Sequence, residues 1–197
     1  MTMNFTVVYV GFIIMVCIYR IRRLSKSYAH REEPSEVRKS FSFAIMLSLY
    51  LLIFIGSIME YFFISYGQDL NLILSGIGFL LYVSAIPVRG KALKSLGRNV
   101  SPDVEIKESH QLIKDGLYRY IRHPLALCVT LELVGFTLVS NSYYSLTGVI
   151  LIFLPFMAYR IKMEEKALIE KFGQDYLDYK KEVPAILPLK RFFCKRR

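Results

Sequence analysis

Three consecutive residues, Arg122-His123-Pro124, stand where an apolar run of this 197-residue chain begins. Proline suits the first turn of a helix, because it has no N–H to lose and its φ is already helical. That first turn presents unsatisfied N–H groups and a partial positive charge. Arg122 adds a guanidinium fork that can hold a carboxylate through two parallel hydrogen bonds. Together the three compose an anion site at the edge of an apolar layer. By position alone, simple anchoring of the helix among lipid headgroups accounts for the same residues.

A second group lies where a later apolar run ends. Arg160 and Glu164 are spaced i,i+4 and share a helix face, with Glu165 beside them. A surface pair of this kind contributes only about 0.3–0.5 kcal/mol, so the spacing does not demand a function. Glu132 is different. It falls about eight residues into an apolar helix, roughly 12 Å at 1.5 Å per residue. A carboxylate that deep costs about 3 kcal/mol to insert, so Glu132 is expected to face protein or a polar cavity, either as a catalytic group or as a structural hydrogen-bonding one. Glu60, near the outer end of another run, is read as reaching water and is given no role. The sequence has no glycine-rich phosphate loop, HExxH or nucleophile elbow. His30, His110 and His123 are too scattered to imply a metal.

The elements that must position these groups are five apolar segments, at about 5–19, 41–66, 70–88, 124–139 and 143–159. A hydrocarbon layer about 30 Å thick takes about 20 helical residues to cross. The last two segments are separated only by Ser140-Asn141-Ser142, which predicts an antiparallel helical hairpin. Met1-Thr2-Met3-Asn4 carries no basic residue and the basic cluster follows the first segment, which reads as an anchor with its N-terminus outside rather than a signal peptide. Residues 20–39 hold seven Lys/Arg, 89–122 eight and 160–197 eleven, together every one of the 26 in the chain. Five crossings, N-terminus out and C-terminus cytoplasmic, put all of them on the cytoplasmic side. The expected fold is therefore an all-α, polytopic membrane bundle, with a three-helix region over residues 1–90 and a catalytic region over 91–197.

The formal charge of +10 and mean hydropathy of +0.37 fit this picture. The charges flank membrane segments and no nucleic-acid module is recognisable, so anionic lipid headgroups are the simpler partner. Residues 91–123 and 160–182 are too long to be connectors. A short element is expected around 111–113. The apolar positions Ile161, Leu168, Phe172, Tyr176, Tyr179 and Val183 trace an amphipathic helix interrupted at Gly173. Cys17 and Cys128 read as small core residues, and neither a disulfide framework nor a zinc site is suggested.

The two polar blocks also carry a resemblance. His110-Gln111-Leu112-Ile113-Lys114-Asp115-Gly116-Leu117-Tyr118, followed by Arg122-His123-Pro124, resembles the H-x-L-x-x-x-G-x-Y-x-x-x-R-H-P signature of membrane methyltransferases. After the hairpin come Arg160-x-x-x-Glu164-Glu165-x-x-Leu168, Phe172-Gly173-x-x-Tyr176-x-x-Tyr179-x-x-x-Val183-Pro184 and Leu187-Pro188. This order is similar to the isoprenylcysteine carboxyl methyltransferase family and its prokaryotic relatives, within a wider group containing phospholipid methyltransferases. It covers about residues 91–188.

The resemblance implies S-adenosylmethionine bound on the cytoplasmic side by His110, Leu112, Gly116, Tyr118, Arg122, His123 and Pro124, with Glu164 or Glu165 from the second block. It implies Arg160 as the group aligning an acceptor carboxylate, and a lipid-tailed or prenylated acceptor. Two family aromatics are absent: Ala126 and Val100 stand in their places. The localisation implied is the cytoplasmic membrane in a prokaryote or the endoplasmic reticulum membrane in a eukaryote, with the site facing the cytoplasm. The alternatives are N-methylation of a phospholipid amine, an NADPH-dependent sterol-type reductase, and a non-catalytic membrane scaffold.

Overall fold

The computed structural model describes residues 2–29, 41–65, 69–96 and 112–186. Among these the chain is helical and has no strand. In order come α1 (Thr2–Ala29), α2 (Phe41–Glu60) with a π-helical turn (Tyr61–Ser65), α3 (Leu72–Leu96), a 3₁₀ turn (Gly116–Arg119) and α4 (Pro124–Val139). Then follow α5 (Tyr143–Gly148), a second π turn (Val149–Phe153), α6 (Leu154–Phe172) and α7 (Gln174–Glu182). The segment Tyr143–Phe172 is one continuous rod.

Four helical stretches are long and apolar enough to cross a membrane: Phe5–Arg22, Ser42–Ser65, Leu72–Leu96 and Tyr143–Phe172. The fifth expected span, Pro124–Val139, forms a shorter apolar helix of 16 residues, about 24 Å. The outer surface carries exposed Val7, Leu52, Phe63, Ile73, Leu80 and Leu151. An apolar surface this extensive is that of a protein solvated by lipid, and the chain is an integral membrane protein.

The helices outrun the apolar segments that announce them. α1 continues to Ala29, α3 to Leu96 and the last rod to Phe172. Hydropathy ends where lipid ends, whereas backbone hydrogen bonding continues into the headgroup region. The short element expected at 111–113 is a correction. Residues 112–114 are irregular and the turn of helix comes at Gly116–Arg119, while residue 111 lies outside the described residues. Gly116 has φ +62, and a side chain there would collide with Ser95 Oγ, so this position of the motif is held to glycine twice over. The break at Gly173 is where expected, at φ +54.

The core lies between α3 and α4, the most extensively paired helices. Gly78 and Gly135 let their backbones touch: a Cβ on Gly135 would stand 2.7 Å from Gly78 O and 2.8 Å from Tyr82 N. Lipid supplies no hydrophobic drive between helices, so close approach through small residues is how such pairs associate. Around this contact pack Tyr9, Phe12, Tyr61, Tyr82 and Phe136. Cys128 is buried as expected, but Cys17 is exposed on the lipid side of α1, another correction.

The turn of the hairpin is closed by polar groups. Ser140, Asn141 and Ser142 are all buried. Ser57 Oγ and Ser140 Oγ lie 2.8 Å apart, Asn141 Nδ2 donates to Ser75 Oγ at 2.7 Å, and Ser142 Oγ donates to Ser57 O at 2.9 Å. Glu60, expected to sit in water without a role, is also buried. It accepts hydrogen bonds from Tyr144 N (2.9 Å), Ser145 N (2.8 Å) and Ser145 Oγ (2.8 Å). The carboxylate therefore caps α5, where the free N–H groups and helix dipole both favour a negative charge.

Candidate active site

At the opposite end of the hairpin the two motif blocks meet around Glu165. Its Oε1 lies 2.5 Å from Arg122 Nη1 and 3.3 Å from His123 Nε2, and its Oε2 lies 2.7 Å from Lys180 Nζ. His123 Nδ1 lies 3.6 Å from Glu164 Oε2. Arg122, His123 and Glu165 have side chains no more than 8% exposed, so water screens these pairs little. With His123 protonated, three cations face two carboxylates, and the net charge of +1 favours an anionic ligand.

Main-chain bonds fix the same junction. Arg122 N donates to Pro184 O at 3.0 Å and His123 N to Ala185 O at 2.9 Å. Tyr179 Oη donates to Tyr118 O at 2.5 Å. The segment after α7 thus folds back against the residues that start α4. Leu112 packs with Tyr176, Tyr179 and Val183, and Leu168 and Phe172 complete that cluster. Pro124 is the first residue of α4, and His123 caps it without a side-chain hydrogen bond. The Arg122 guanidinium also interacts with the buried Tyr176 hydroxyl.

The expected site residues divide accordingly. Leu112, Tyr118, Arg122, His123, Pro124, Glu164 and Glu165 are brought together, and Gly116 forms the turn beneath Tyr118. His110 lies outside the described residues, as does Val100. Arg160 lies one turn before Glu164 on α6; its Nη1 donates to Ser42 Oγ at 3.0 Å and its guanidinium lies 5.7 Å from the Phe43 ring centroid. Glu132 joins a separate group: its Oε2 is 2.7 Å from Arg20 Nη2 and 3.0 Å from Arg89 Nη2. Arg122, whose fork is expected to be able to hold a ligand carboxylate, pairs through Nη1 with Glu165. Lys180 was not singled out from the sequence. Its only signal is its place one residue after Tyr179 on the amphipathic helix. Ala126 is partly buried against the apolar cluster of Tyr50, Leu133 and Phe153.

Burial acts to lower the His123 pKa, but hydrogen bonds to Glu164 and Glu165 and their negative charges outweigh it and raise the value to about 9. A histidine raised above its ordinary 6.5 stabilises the fold fully below that pH and loses the contribution as pH climbs through about 9. Unfolding free energy in detergent should fall over this window by on the order of 3 kcal/mol, at about 1.4 kcal/mol per unit. His123→Gln should flatten the profile. An equal fall in the variant would assign the pH dependence to other groups.

An apolar helical bundle with a buried, cation-rich polar centre at one end of a helical hairpin defines an integral membrane protein with a charged site. The chain is similar to the isoprenylcysteine carboxyl methyltransferase family, whose profile matches residues 77–170. It is 35% identical over 130 residues to protein-S-isoprenylcysteine O-methyltransferase of Xenopus laevis, covering 58% of this chain and 41% of that one. The Schizosaccharomyces pombe protein of the same name is 32% identical over 117 residues, covering 58% and 49%. The solved eukaryotic intramembrane Ras methyltransferase, isoprenylcysteine carboxyl methyltransferase, superposes with a TM-score of 0.59 at 26% identity, covering 78% of this chain and 54% of that one. The chain spans a little under half the length of these two curated relatives.

Proposed function

We propose that the chain is an S-adenosylmethionine-dependent carboxyl O-methyltransferase acting on a lipid-tailed, prenylcysteine-like acid. The observation that carries this reading is the joining of the two motif blocks around Glu165 at the start of α4. The cofactor's carboxylate would meet the first-turn N–H groups of α4 beside the Arg122 guanidinium. Leu112 and Tyr118 are the apolar and aromatic groups that would meet its adenine ring. When bound, it supplies the methyl group to be transferred. Holding the donor in place falls to His123, Pro124, Tyr118 and Glu165, with His110 carried over from the family motif. Arg160, with Glu164 one turn away, aligns the acceptor carboxylate. An acceptor acid is already ionised at neutral pH, so the chain needs no general base, and orientation of the reacting atoms supplies up to about 7–11 kcal/mol. An amine acceptor would first have to lose a proton. Glu132, the deepest candidate base, is engaged by two guanidiniums, which disfavours the N-methylation alternative.

Radiolabelled methyl transfer in membranes, followed by mild base, tests the reading. Methyl esters release volatile methanol; base-stable label in a phospholipid would overturn carboxyl methylation. Saturable binding of NADPH with none of S-adenosylhomocysteine would overturn the methyltransferase altogether, and binding of neither would favour a scaffold.

The bundle crosses the membrane five times, N-terminus out, with the site on the cytoplasmic side. The distribution of all 26 Lys and Arg supports this threading. Single cysteines placed at 67–69 should react with an impermeant thiol reagent only from outside. Labelling from the cytoplasmic side would refute it.

A further inference from the structure

A second charged centre lies away from the Glu165 site. Glu132 is fully buried in α4, two and a half turns beyond His123 and on the opposite face of the helix. Arg20 of α1 and Arg89 of α3 both reach its Oε2, at 2.7 and 3.0 Å. Arg20 also hydrogen-bonds Tyr50 Oη of α2 and lies over that ring, 4.3 Å from its centroid. Four helices therefore send a polar side chain to one point. Among the described residues two guanidiniums face a single carboxylate there. Among the described residues Glu132 Oε1 is buried and makes no hydrogen bond of ordinary geometry, and the Arg20 guanidinium also interacts with Tyr82.

That arrangement is incomplete as a structural salt bridge. Buried charges in an apolar medium are ordinarily balanced, and buried polar atoms ordinarily paired. Here one positive charge is in excess and the only carboxylate uses one oxygen for both partners. The centre also has an approach from the bilayer. Arg20 keeps 31% of its side chain exposed, and its α1 neighbours Ile18 and Ile21 are exposed apolar residues. A ligand arriving there from the membrane would bring an apolar tail along α1 and an anionic head to Arg20.

We infer that Arg20, Arg89 and Glu132 form a binding site for the anionic head of a lipid-tailed amphiphile, separate from the Glu165 site. The anion shares the two guanidiniums with Glu132 Oε2 and balances their excess positive charge. A carboxylate or a phosphate satisfies this chemistry equally. The inference does not depend on the methyl-transfer reading, since it concerns binding without a methyl donor.

The test uses the full chain in neutral detergent without S-adenosylmethionine. Thermal unfolding is followed while three probes are titrated: a long-chain S-alkylcysteine free acid, its methyl ester, and phosphatidylglycerol, with phosphatidylcholine as reference. The acid, phosphatidylglycerol or both should raise the midpoint saturably, and whichever does so identifies the source of the anion. The ester and phosphatidylcholine should not. Arg89→Gln should weaken the effective anion roughly tenfold or more, the loss of one charge-assisted hydrogen bond. Glu132→Gln decides the matter even if Arg89→Gln fails to fold. It removes the internal competitor for both arginines, so it should tighten anion binding by about the same factor. A purely structural role predicts no such gain. No effect of either anion, or unchanged anion affinity in Glu132→Gln, would overturn the inference and leave the centre as a staple between helices.

Discussion

Arg160→Ala is expected to lower methyl transfer by roughly 10²-fold, the usual consequence of misplacing a reacting group by about 1 Å, while leaving the protein folded. The contrast follows from what the side chain holds. Its contacts to Ser42 and the Phe43 ring tie the end of α6 to the start of α2. A hydrogen bond of that kind contributes about 1 kcal/mol net. Aligning a carboxylate against a methyl donor demands more of the same guanidinium, because a misdirected oxygen loses the whole benefit of orientation. Arg160→Lys keeps the charge but not the planar fork, and should recover only part of the rate. The check is turnover in proteoliposomes beside the unfolding midpoint of each variant. Near-normal turnover in Arg160→Ala would return the residue to holding α2 against α6.

Glu165 shows how far a sequence can carry a site and where it stops. Arg122-His123-Pro124 announced a helix start because proline, histidine and the following apolar run each have local meanings. Gly173 announced a break for the same reason. Both appear where expected. The block containing Glu164 and Glu165 could be placed beside Arg122 only through resemblance, since no local rule links residues 42 positions apart. Lys180 was passed over because a lysine on an amphipathic helix ordinarily faces water. Its reach to Glu165 depends on Val183, Pro184 and Ala185 folding back onto residues 122–123.

Glu132 illustrates the same limit from the other side. Its depth and helix were readable, and so was its need for a partner. Arg20 and Arg89 looked like headgroup anchors, counted with other cations at the ends of their segments. Only the convergence of α1, α3 and α4 makes them its partners. Glu60 was misjudged in a similar way: nothing at position 60 tells that the free N–H groups of α5 will arrive above it.

Replacing Gly135 with alanine is expected to lower the unfolding midpoint in detergent by roughly 2–12 °C, corresponding to about 1–3 kcal/mol of overpacking in a chain of this size. The new Cβ would meet Gly78 O at 2.7 Å, Tyr82 N at 2.8 Å and Tyr82 Cβ at 3.1 Å. Two of these atoms are backbone, so no flexible side chain can yield and α3 must move from α4. The reverse holds for Gly78, whose Cβ would meet Gly135 O at 2.6 Å and Val139 N at 2.7 Å. Each glycine therefore accommodates the other's carbonyl in one shared contact. Once α3 and α4 have separated for one methyl group, the second finds room, and Gly78→Ala/Gly135→Ala should cost clearly less than the sum of the two singles. Separation should also reach Arg89, which must cross from α3 to Glu132, less than one turn from Gly135 on α4. A double variant whose cost equals the sum of the singles would mean that the two helices deform independently at these positions, and the close-contact account of how α4 is held would fail.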